Sequence, residues 1–272
     1  MEDQIKDSSR VLVSRKDKFH EMFMSSEGLK DSEICVLCIP DLFGDCSDFI
    51  GLKEKLSIDF KVISFDFLGH GLSSKALEYS YNDFLNDTLH IISKLDSRNI
   101  FIVGMGVGAS ISCDLISMHN NPFIGCVLLD ADKIFDPEFK FKLPDIGEFT
   151  NFKDAKNSLD LSKHCSEETI GKIVCQKYKV QENKFRRALD DKLGKCLGQF
   201  SGFSFVEKTK NIKTPVLFMG DSVNFDSELI QYEISKNISD LYDPENIDIV
   251  SKWIKNIALD PCTVLKCWKN RI

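Results

Sequence analysis

The sequence contains no hydrophobic run that approaches the roughly 20 residues a membrane-spanning helix requires. Its opening segment, MEDQIKDSSR, has neither the apolar stretch of a secretion signal nor a glycine for myristoylation. Its net charge of −7 at pH 7 does not suggest the basic surface that nucleic-acid-binding proteins use. We therefore expect a cytoplasmic location and no nucleic-acid partner.

The 10 cysteines show neither the pattern of a small disulfide-rich domain nor that of a zinc site. Several lie in apolar runs, such as Cys35 and Cys38 in ICVLCIP and Cys126 in GCVLLD, where cysteine behaves as a small buried hydrophobic residue. A redox pair at Cys35-x-x-Cys38 would need both thiols on one side of a strand, but residues three apart point to opposite faces. We expect no metal and no cofactor.

What the sequence does contain is an alternation of strand-like and helix-like segments, which is typical of a parallel α/β sheet. Residues 11–13 and 19–24 predict two antiparallel strands at the start of the chain. The other predicted strands are residues 33–40, 60–67, 100–103, 125–130 and 214–219. The predicted helices are residues 48–57, 81–95, 109–118 and 244–257.

A charged segment between the last strands interrupts this alternation. It predicts a division into a core formed by residues 1–132 and 213–272 and a helical cap inserted over residues 133–212. Within the cap, apolar residues recur every four positions and predict a one-faced helix. These residues are Phe185, Leu189, Leu193 and Leu197.

Four motifs, in this order, resemble the α/β-hydrolase superfamily. Ile39-Pro-Asp-Leu-Phe-Gly44 follows a predicted strand where hydrolases place an oxyanion turn, and Asp66-Phe-Leu-Gly-His-Gly-Leu-Ser-Ser74 resembles the run D-x-x-G-x-G-x-S. Gly104-Met-Gly-Val-Gly108 lies between strand and helix, where the nucleophile elbow G-x-S-x-G belongs. Thr214-Pro-Val-Leu-Phe-Met-Gly-Asp221 resembles the strand before the triad acid. The resemblance implies an α/β-hydrolase fold with a mostly parallel central sheet and an inserted helical cap.

The chemistry of a serine hydrolase is missing from these motifs. The centre of the elbow is Gly106, which has no side chain to attack a carbonyl. Glycine accepts the strained backbone of the elbow, so we expect the turn to keep its shape and to accommodate a serine without loss of the fold. The triad histidine should follow the acid in the chain, but the last histidine is His164.

The oxyanion turn also departs from the enzymatic pattern. An ionised Asp41 beside the elbow would oppose a developing oxyanion rather than stabilise it. We predict no catalytic residue and a vestigial pocket in which Asp221 is a remnant of the acid. Its residues are Asp41, Leu42, Met105, Gly106, Val107 and Asp221.

These departures resemble the N-myc downstream-regulated family, α/β-hydrolase-fold proteins regarded as non-enzymatic. That family has glycine at the elbow centre in a run such as G-M-G-x-G-A, and this chain has Gly104-Met-Gly-Val-Gly-Ala109. Pro40-Asp41-Leu42 shares the aspartate and the apolar residue after it with the family's first turn, H-D-I-G, where Pro40 replaces the histidine. Gly220-Asp221-Ser222 matches the family's G-D-S, so the resemblance covers about residues 10–260. It implies a cytoplasmic binding or adaptor protein in stress response, differentiation signalling or trafficking. Protein partners, a small hydrophobic ligand and peripheral membrane contact are the expected interactions.

An alternative hypothesis is a diverged, esterase-like or lipase-like hydrolase whose nucleophile has moved. Ser110, one turn into the elbow helix, and Cys38, near the end of a strand, are the candidates. Buried helix packing for Ser110 and a core position for Cys38 are the simpler interpretations. A third interpretation, a misplaced elbow, is weak because the other glycine runs supply no G-x-S-x-G motif.

Overall fold

The computed structural model describes residues 4–16, 18–118, 121–131, 147–162, 164–195, 197–200, 212–220, 230–233 and 241–259, with only the backbone described for 230–233. Among these residues, no helix is both long enough and apolar enough to cross a membrane. Strands of one sheet are distributed along the sequence from residue 4 to residue 233, so the chain repeatedly returns to that sheet.

An eight-stranded sheet forms the centre of the described structure, in the order β1-β2-β4-β3-β5-β6-β9-β10. Strands β1 and β2 form a long antiparallel hairpin, β2 pairs antiparallel with β4, and the remaining neighbours are parallel. The predicted mostly parallel sheet is therefore confirmed. The strands are β1 Gln4–Arg15, β2 Lys18–Leu29, β3 Ile34–Ile39, β4 Lys61–Phe65, β5 Asn99–Met105, β6 Phe123–Leu129, β7 Tyr178–Gln181, β8 Lys184–Arg187, β9 Val216–Met219 and β10 Ile230–Glu233.

Helices cover both faces of the sheet, as parallel strands require. Helices α2 and α3 share one buried apolar cluster with the sheet, and α1 and α6 share a second cluster on the other face. Cys35 lies in the first cluster and Cys38 in the second, which confirms that the two thiols face opposite sides of β3. The helices are α1 Ile50–Leu56, α2 Tyr81–Ile92, α3 Val107–Ser117, α4 Phe152–Asn157, α5 Glu167–Lys177 and α6 Pro244–Leu259.

Side-chain caps explain where several of these helices begin. The hydroxyl of Ser80 accepts a hydrogen bond from the backbone N–H of Asp83 at the start of α2. Asn151 and Ser166 cap α4 and α5 in the same manner. Each cap satisfies a backbone N–H that has no partner within its own helix, so these short polar residues fix the first turn.

The segment between β6 and β9 is only partly helical where it is described. Helices α4 and α5 pack around a small apolar cluster that includes Ala155, Ile173 and Tyr178, and β7 and β8 then form a hairpin. The division into residues 1–132, 133–212 and 213–272 stays a prediction.

The predicted helix with a four-residue apolar stripe is wrong, because Phe185 lies in β8 and Leu193 in the 3-10 helix Asp191–Lys195. Glu182 and Asn183 both have positive φ, 50° and 61°, the backbone of a tight hairpin turn that ends helical structure.

One buried ion cluster fastens this inserted segment to the core. The Nζ atom of Lys177, at the end of α5, lies 2.6 Å from Asp48 and 3.3 Å from Asp45, both in the loop after β3. The hydroxyl of Tyr242 donates a second hydrogen bond to Asp48 at 2.9 Å. Asp45 and Asp48 also cap the 3-10 helix Cys46–Phe49 reciprocally, so one cluster joins the loop, the inserted segment and the start of α6.

We expect Lys177→Met to lower the free energy of unfolding by about 3–5 kcal/mol, because two buried carboxylates lose their cation. Urea denaturation measures this change. The matched control is Lys172→Met on the same helix, where an exposed lysine pairs with Glu168 across one turn. Removing this exposed pair should change little. Equal effects of the two substitutions would contradict a role for Lys177 as the fastening between segment and core.

Candidate functional site

The turn between β5 and α3 has the backbone of a nucleophile elbow. Gly106 has φ 53° and ψ −117°, and its N–H donates to the carbonyl of Leu129 at 2.9 Å. A positive φ is strained for residues with a side chain but not for glycine. The structure therefore keeps the sharp strand-to-helix turn while placing only a hydrogen atom where a nucleophile would project.

A second glycine lets the elbow helix approach the neighbouring strand. A Cβ atom added at Gly108 would overlap the carbonyl oxygen of Ile39 at the end of β3. The close approach brings the first turn of α3 against the loop that follows β3. The loop begins with Pro40 and turns back at once, because the N–H of Gly44 donates to the carbonyl of Asp41 at 3.0 Å.

The carboxylate of Asp41 lies at the N-terminus of the elbow helix. Its Oδ1 atom accepts the backbone N–H of Val107 at 2.7 Å. In serine hydrolases of this architecture, the residue after the nucleophile and the loop after the earlier strand supply the two N–H groups of the oxyanion hole. Here a side chain of the chain itself holds the first of the corresponding donors, the N–H of Val107.

The surroundings of Asp41 disfavour its charge. Desolvation raises the pKa of its carboxyl group to about 6, although the N–H groups of Val107 and Leu42 favour the ionised form. The nearby carboxylates Asp130 and Asp48 raise it further. The group is therefore ionised at neutral pH, but it releases its proton more reluctantly than an ordinary aspartate.

The loop that carries Asp41 is held from three sides. A ring nitrogen of His70 lies against the carbonyl of Leu42, and the guanidinium of Arg187 donates to the carbonyl of Phe43 at 3.2 Å. The fully buried Asp66 accepts the N–H of Cys46 at 2.7 Å. In the sequence, Asp66 indicates only the fold, as part of the D-x-x-G-x-G-x-S run. Nothing in the sequence connects Arg187 with this loop.

The predicted pocket residues meet at the elbow, apart from one. Asp221 lies outside the described residues, directly after Gly220 at the end of β9. The rest are contiguous in the elbow or in the loop beside it: Asp41, Leu42, Met105, Gly106 and Val107. Leu42 and Val107 are fully buried, and Met105 is nearly so.

His70 is placed as a structural residue. Its imidazole is fully buried, with Nδ1 at 3.1 Å from the carbonyl oxygen of Leu68 and Nε2 against the carbonyl of Leu42. Burial lowers the pKa of the ring, although both carbonyls favour its charged form. Both nitrogens already face backbone oxygens, so neither is available to accept a proton from a nucleophile.

The two alternative nucleophiles lie inside the core. The hydroxyl of Ser110 is fully buried, 3.1 Å from the hydroxyl of Tyr81, which donates to Asp114 at 2.6 Å. Cys38 is fully buried in β3, and desolvation raises the pKa of its thiol far above the ordinary range. A thiol in such surroundings is a poor source of thiolate.

In the part of the chain that the structure describes, no group of three or more His, Cys, Asp or Glu residues is arranged to hold a metal ion.

Comparisons with known proteins agree with this architecture. A family model described as alpha/beta hydrolase fold matches residues 35–161. The thioesterase domain from the curacin biosynthetic pathway superposes with a TM-score of 0.75 at 17% identity, covering 92% of this chain and 99% of that one. An alpha/beta hydrolase from Novosphingobium aromaticivorans superposes with a TM-score of 0.73 at 15% identity, with the same coverage. The chain has the α/β-hydrolase fold.

A curated protein whose sequence is similar to part of this chain is ethanol acetyltransferase 1 of Hanseniaspora uvarum. It is 25% identical over 105 residues, which are 38% of this chain and 31% of the acetyltransferase. The matched stretch thus spans less than a third of that protein. This sequence match and the structural neighbours support the α/β-hydrolase fold. What chemistry this chain can perform has to be inferred from the residues at the elbow.

The expectation that a serine at position 106 leaves the fold intact stays a prediction, but the geometry shows that the added side chain would be crowded. A Cβ atom added at Gly106 would overlap the carboxylate of Asp41. We expect Gly106→Ser to lower the free energy of unfolding by about 1–3 kcal/mol, as crowded core substitutions do. With Asp41→Ala already present, the same substitution should cost less, and urea denaturation of the four proteins measures this coupling.

The matched control is Gly171→Ser on α5, where an added Cβ meets no atom within 4 Å. We expect that variant to be as stable as the wild type. If the effects of Gly106→Ser and Asp41→Ala simply add, the carboxylate does not occupy the space above Gly106.

The raised pKa of Asp41 predicts a pH dependence of stability. Between the ordinary value of 3.8 and about 6, the folded state binds more protons at this group than the unfolded chain does. The contribution of Asp41 to the free energy of unfolding therefore falls as the pH rises through this window, by on the order of 3 kcal/mol at most. We expect the free energy of unfolding of the wild type, measured relative to that of Asp41→Asn, to fall from pH 4 to 6 and to stay constant above about pH 7.

Urea denaturation of both proteins at each pH measures this difference. The comparison cancels other titrating groups, including Asp66, whose pKa is also raised to about 6, mainly by burial. A difference that does not vary with pH would contradict the assignment of the shift to Asp41.

Proposed function

We propose that this chain is a non-enzymatic α/β-hydrolase-fold protein, a pseudohydrolase, that acts as a cytoplasmic binding or adaptor protein. The observation that carries the proposal is the hydrogen bond from the N–H of Val107 to the carboxylate of Asp41. This carboxyl group occupies one of the donors that an oxyanion would need, the N–H of Val107. An acyl substrate would have to displace a side chain that is covalently part of the protein.

Magnitudes support this interpretation. Loss of a triad nucleophile costs on the order of 10⁶ in turnover, and loss of a single oxyanion-hole donor costs about 10²–10³. This chain has glycine in place of the nucleophile, no histidine after residue 164 and a carboxylate at the hole. The substitutions affect three separate parts of one mechanism, whereas a change of substrate specificity would alter only the walls of the pocket.

The resemblance to the N-myc downstream-regulated family suggests the biological setting. Its glycine elbow corresponds to Gly104–Ala109, and the aspartate of its first turn corresponds to Asp41. By this resemblance we propose a role in stress response, differentiation signalling or trafficking, with protein partners. A small hydrophobic ligand near the buried Leu42 and Met105, or peripheral contact with a membrane, would be compatible with that role.

The alternative is a diverged hydrolase or acyltransferase with a relocated nucleophile. The names of similar proteins, a thioesterase domain, a hydrolase and an acetyltransferase, favour this class. The positions of the candidate residues favour it less. Ser110 lies on the buried side of the elbow helix with Tyr81 as its neighbour, and the Cys38 thiol is buried in the sheet with a raised pKa.

Hydrolysis of p-nitrophenyl acetate and labelling by a fluorophosphonate probe test the absence of catalysis. We expect the wild type to show neither labelling nor turnover above that of a heat-denatured sample. We also expect the double variant Gly106→Ser with Asp41→Ala to remain inactive, because a serine without a base is a weak nucleophile.

The alternative predicts different outcomes. Turnover that Ser110→Ala or Cys38→Ala abolishes while the protein stays folded would overturn the proposal. The adaptor role is tested separately by proximity labelling in cells, followed by direct titration of each captured protein against the purified chain. Absence of any direct binder would count against that role, whatever the outcome of the activity assays.

A further inference from the structure

A cleft of about 230 Å³ lies away from the elbow, between the β7–β8 hairpin and the turn that follows β4. The turn contributes Gly69, Gly71 and Lys75, and the hairpin contributes Lys179, Arg186 and Arg187. The cleft is concave, as small-molecule sites are, and its mostly polar lining suits a charged ligand rather than an apolar one.

Positive charge exceeds negative charge in this cleft, although the chain carries −7 overall. Four cationic side chains line it, against the two carboxylates of Glu148 and Asp191. Glu148 is already paired, since its oxygens lie 2.6 Å from Lys184 and 2.6 Å from Arg186, so Glu148 and Arg186 together add little net charge. The excess positive charge therefore comes from Lys75, Lys179 and Arg187, and it favours an anionic ligand.

The two arginines are held in place before any ligand binds. The guanidinium of Arg187 donates to the carbonyl of Phe43 at 3.2 Å and lies 5.6 Å from the ring centroid of Tyr178. The guanidinium of Arg186 is fixed by Glu148 at 2.6 Å and by Glu182 at 3.5 Å, while its Nε atom is buried and has no hydrogen-bond partner among the described residues. Because both guanidinium groups are already ordered, a bound oxyanion would not have to immobilise them.

The two lysines repel each other across the cleft. Desolvation lowers the pKa of Lys179, and the positive charges of Lys75 and Arg10 lower it further, against the opposing effect of Asp66. An anion between these groups would relieve the repulsion and raise the pKa of Lys179 again. Both lysines are exposed at the mouth of the cleft, so a ligand can reach them without movement of the core.

We propose that this cleft binds the phosphate group of a small soluble ligand, through Lys75 and Lys179 at its mouth and Arg186 and Arg187 in its wall. Arginine provides planar donors that suit phosphate oxygens, and lysine adds point charges. The volume of about 230 Å³ is below the range of typical drug-sized sites, so it suits inorganic phosphate or a short phosphate ester. The proposal concerns a site separate from Asp41 and Gly106, and it holds whether or not the elbow is catalytic.

Titration calorimetry of the full chain with inorganic phosphate and with glycerol 3-phosphate tests the proposal, with ionic strength held constant by chloride. We expect saturable binding of one phosphate group per chain. The double variant Lys75→Gln with Lys179→Gln should weaken binding about tenfold or more, because it removes two charged donors. Urea denaturation in phosphate-free buffer should show that this variant stays folded, since both side chains are exposed.

The matched control is Lys172→Gln, which removes one positive charge from an exposed position on α5 outside the cleft. It should leave phosphate binding unchanged. Either no saturable binding by the wild type or an equal loss in the Lys172→Gln protein would overturn the proposal. Binding to phosphoinositide vesicles without binding of either soluble probe would also overturn it, because the ligand would then be a membrane headgroup.

Discussion

The carboxylate of Asp41 and the N-terminus of the elbow helix form the contact on which the rest of the site depends. A helix N-terminus attracts an anion because its first N–H groups have no partner within the helix. Hydrolases use this attraction for the oxyanion of the reacting ester. In this chain the carboxyl group of Asp41 occupies that position, and its Oδ1 atom accepts the N–H of Val107 at 2.7 Å.

The absence of a side chain at Gly106 and the position of Asp41 are two aspects of the same arrangement. A side chain at position 106 would overlap the carboxylate, so the carboxylate can sit there only because position 106 is glycine. His70, Asp66 and Arg187 then hold the loop that carries Asp41, and Lys177 ties that loop to the inserted segment. The fold thus holds this turn and loop in place at a position that carries no attacking group.

Much of the fold followed from the sequence because local patterns and tertiary structure agree there. Apolar runs such as Ile34–Ile39 form strands in any context that buries both of their faces, and the glycines at 104, 106 and 108 permit only a tight turn between strand and helix. The hairpin of β7 and β8 was missed because a four-residue apolar spacing favours a helix, whereas the positive φ values of Glu182 and Asn183 appear only in the folded chain.

The sequence alone determined that the elbow lacks a nucleophile and that no histidine follows residue 164, since both are facts of residue identity. It also indicated that a carboxylate beside the elbow would oppose catalysis. Only the tertiary structure decided where that carboxylate points and which donors it holds, because Asp41 and Val107 are 66 positions apart and meet only when β3 and β5 pair. The cationic cleft has the same origin, since Lys75 lies more than 100 positions before the hairpin that carries Lys179, Arg186 and Arg187 and becomes their neighbour only in the folded chain.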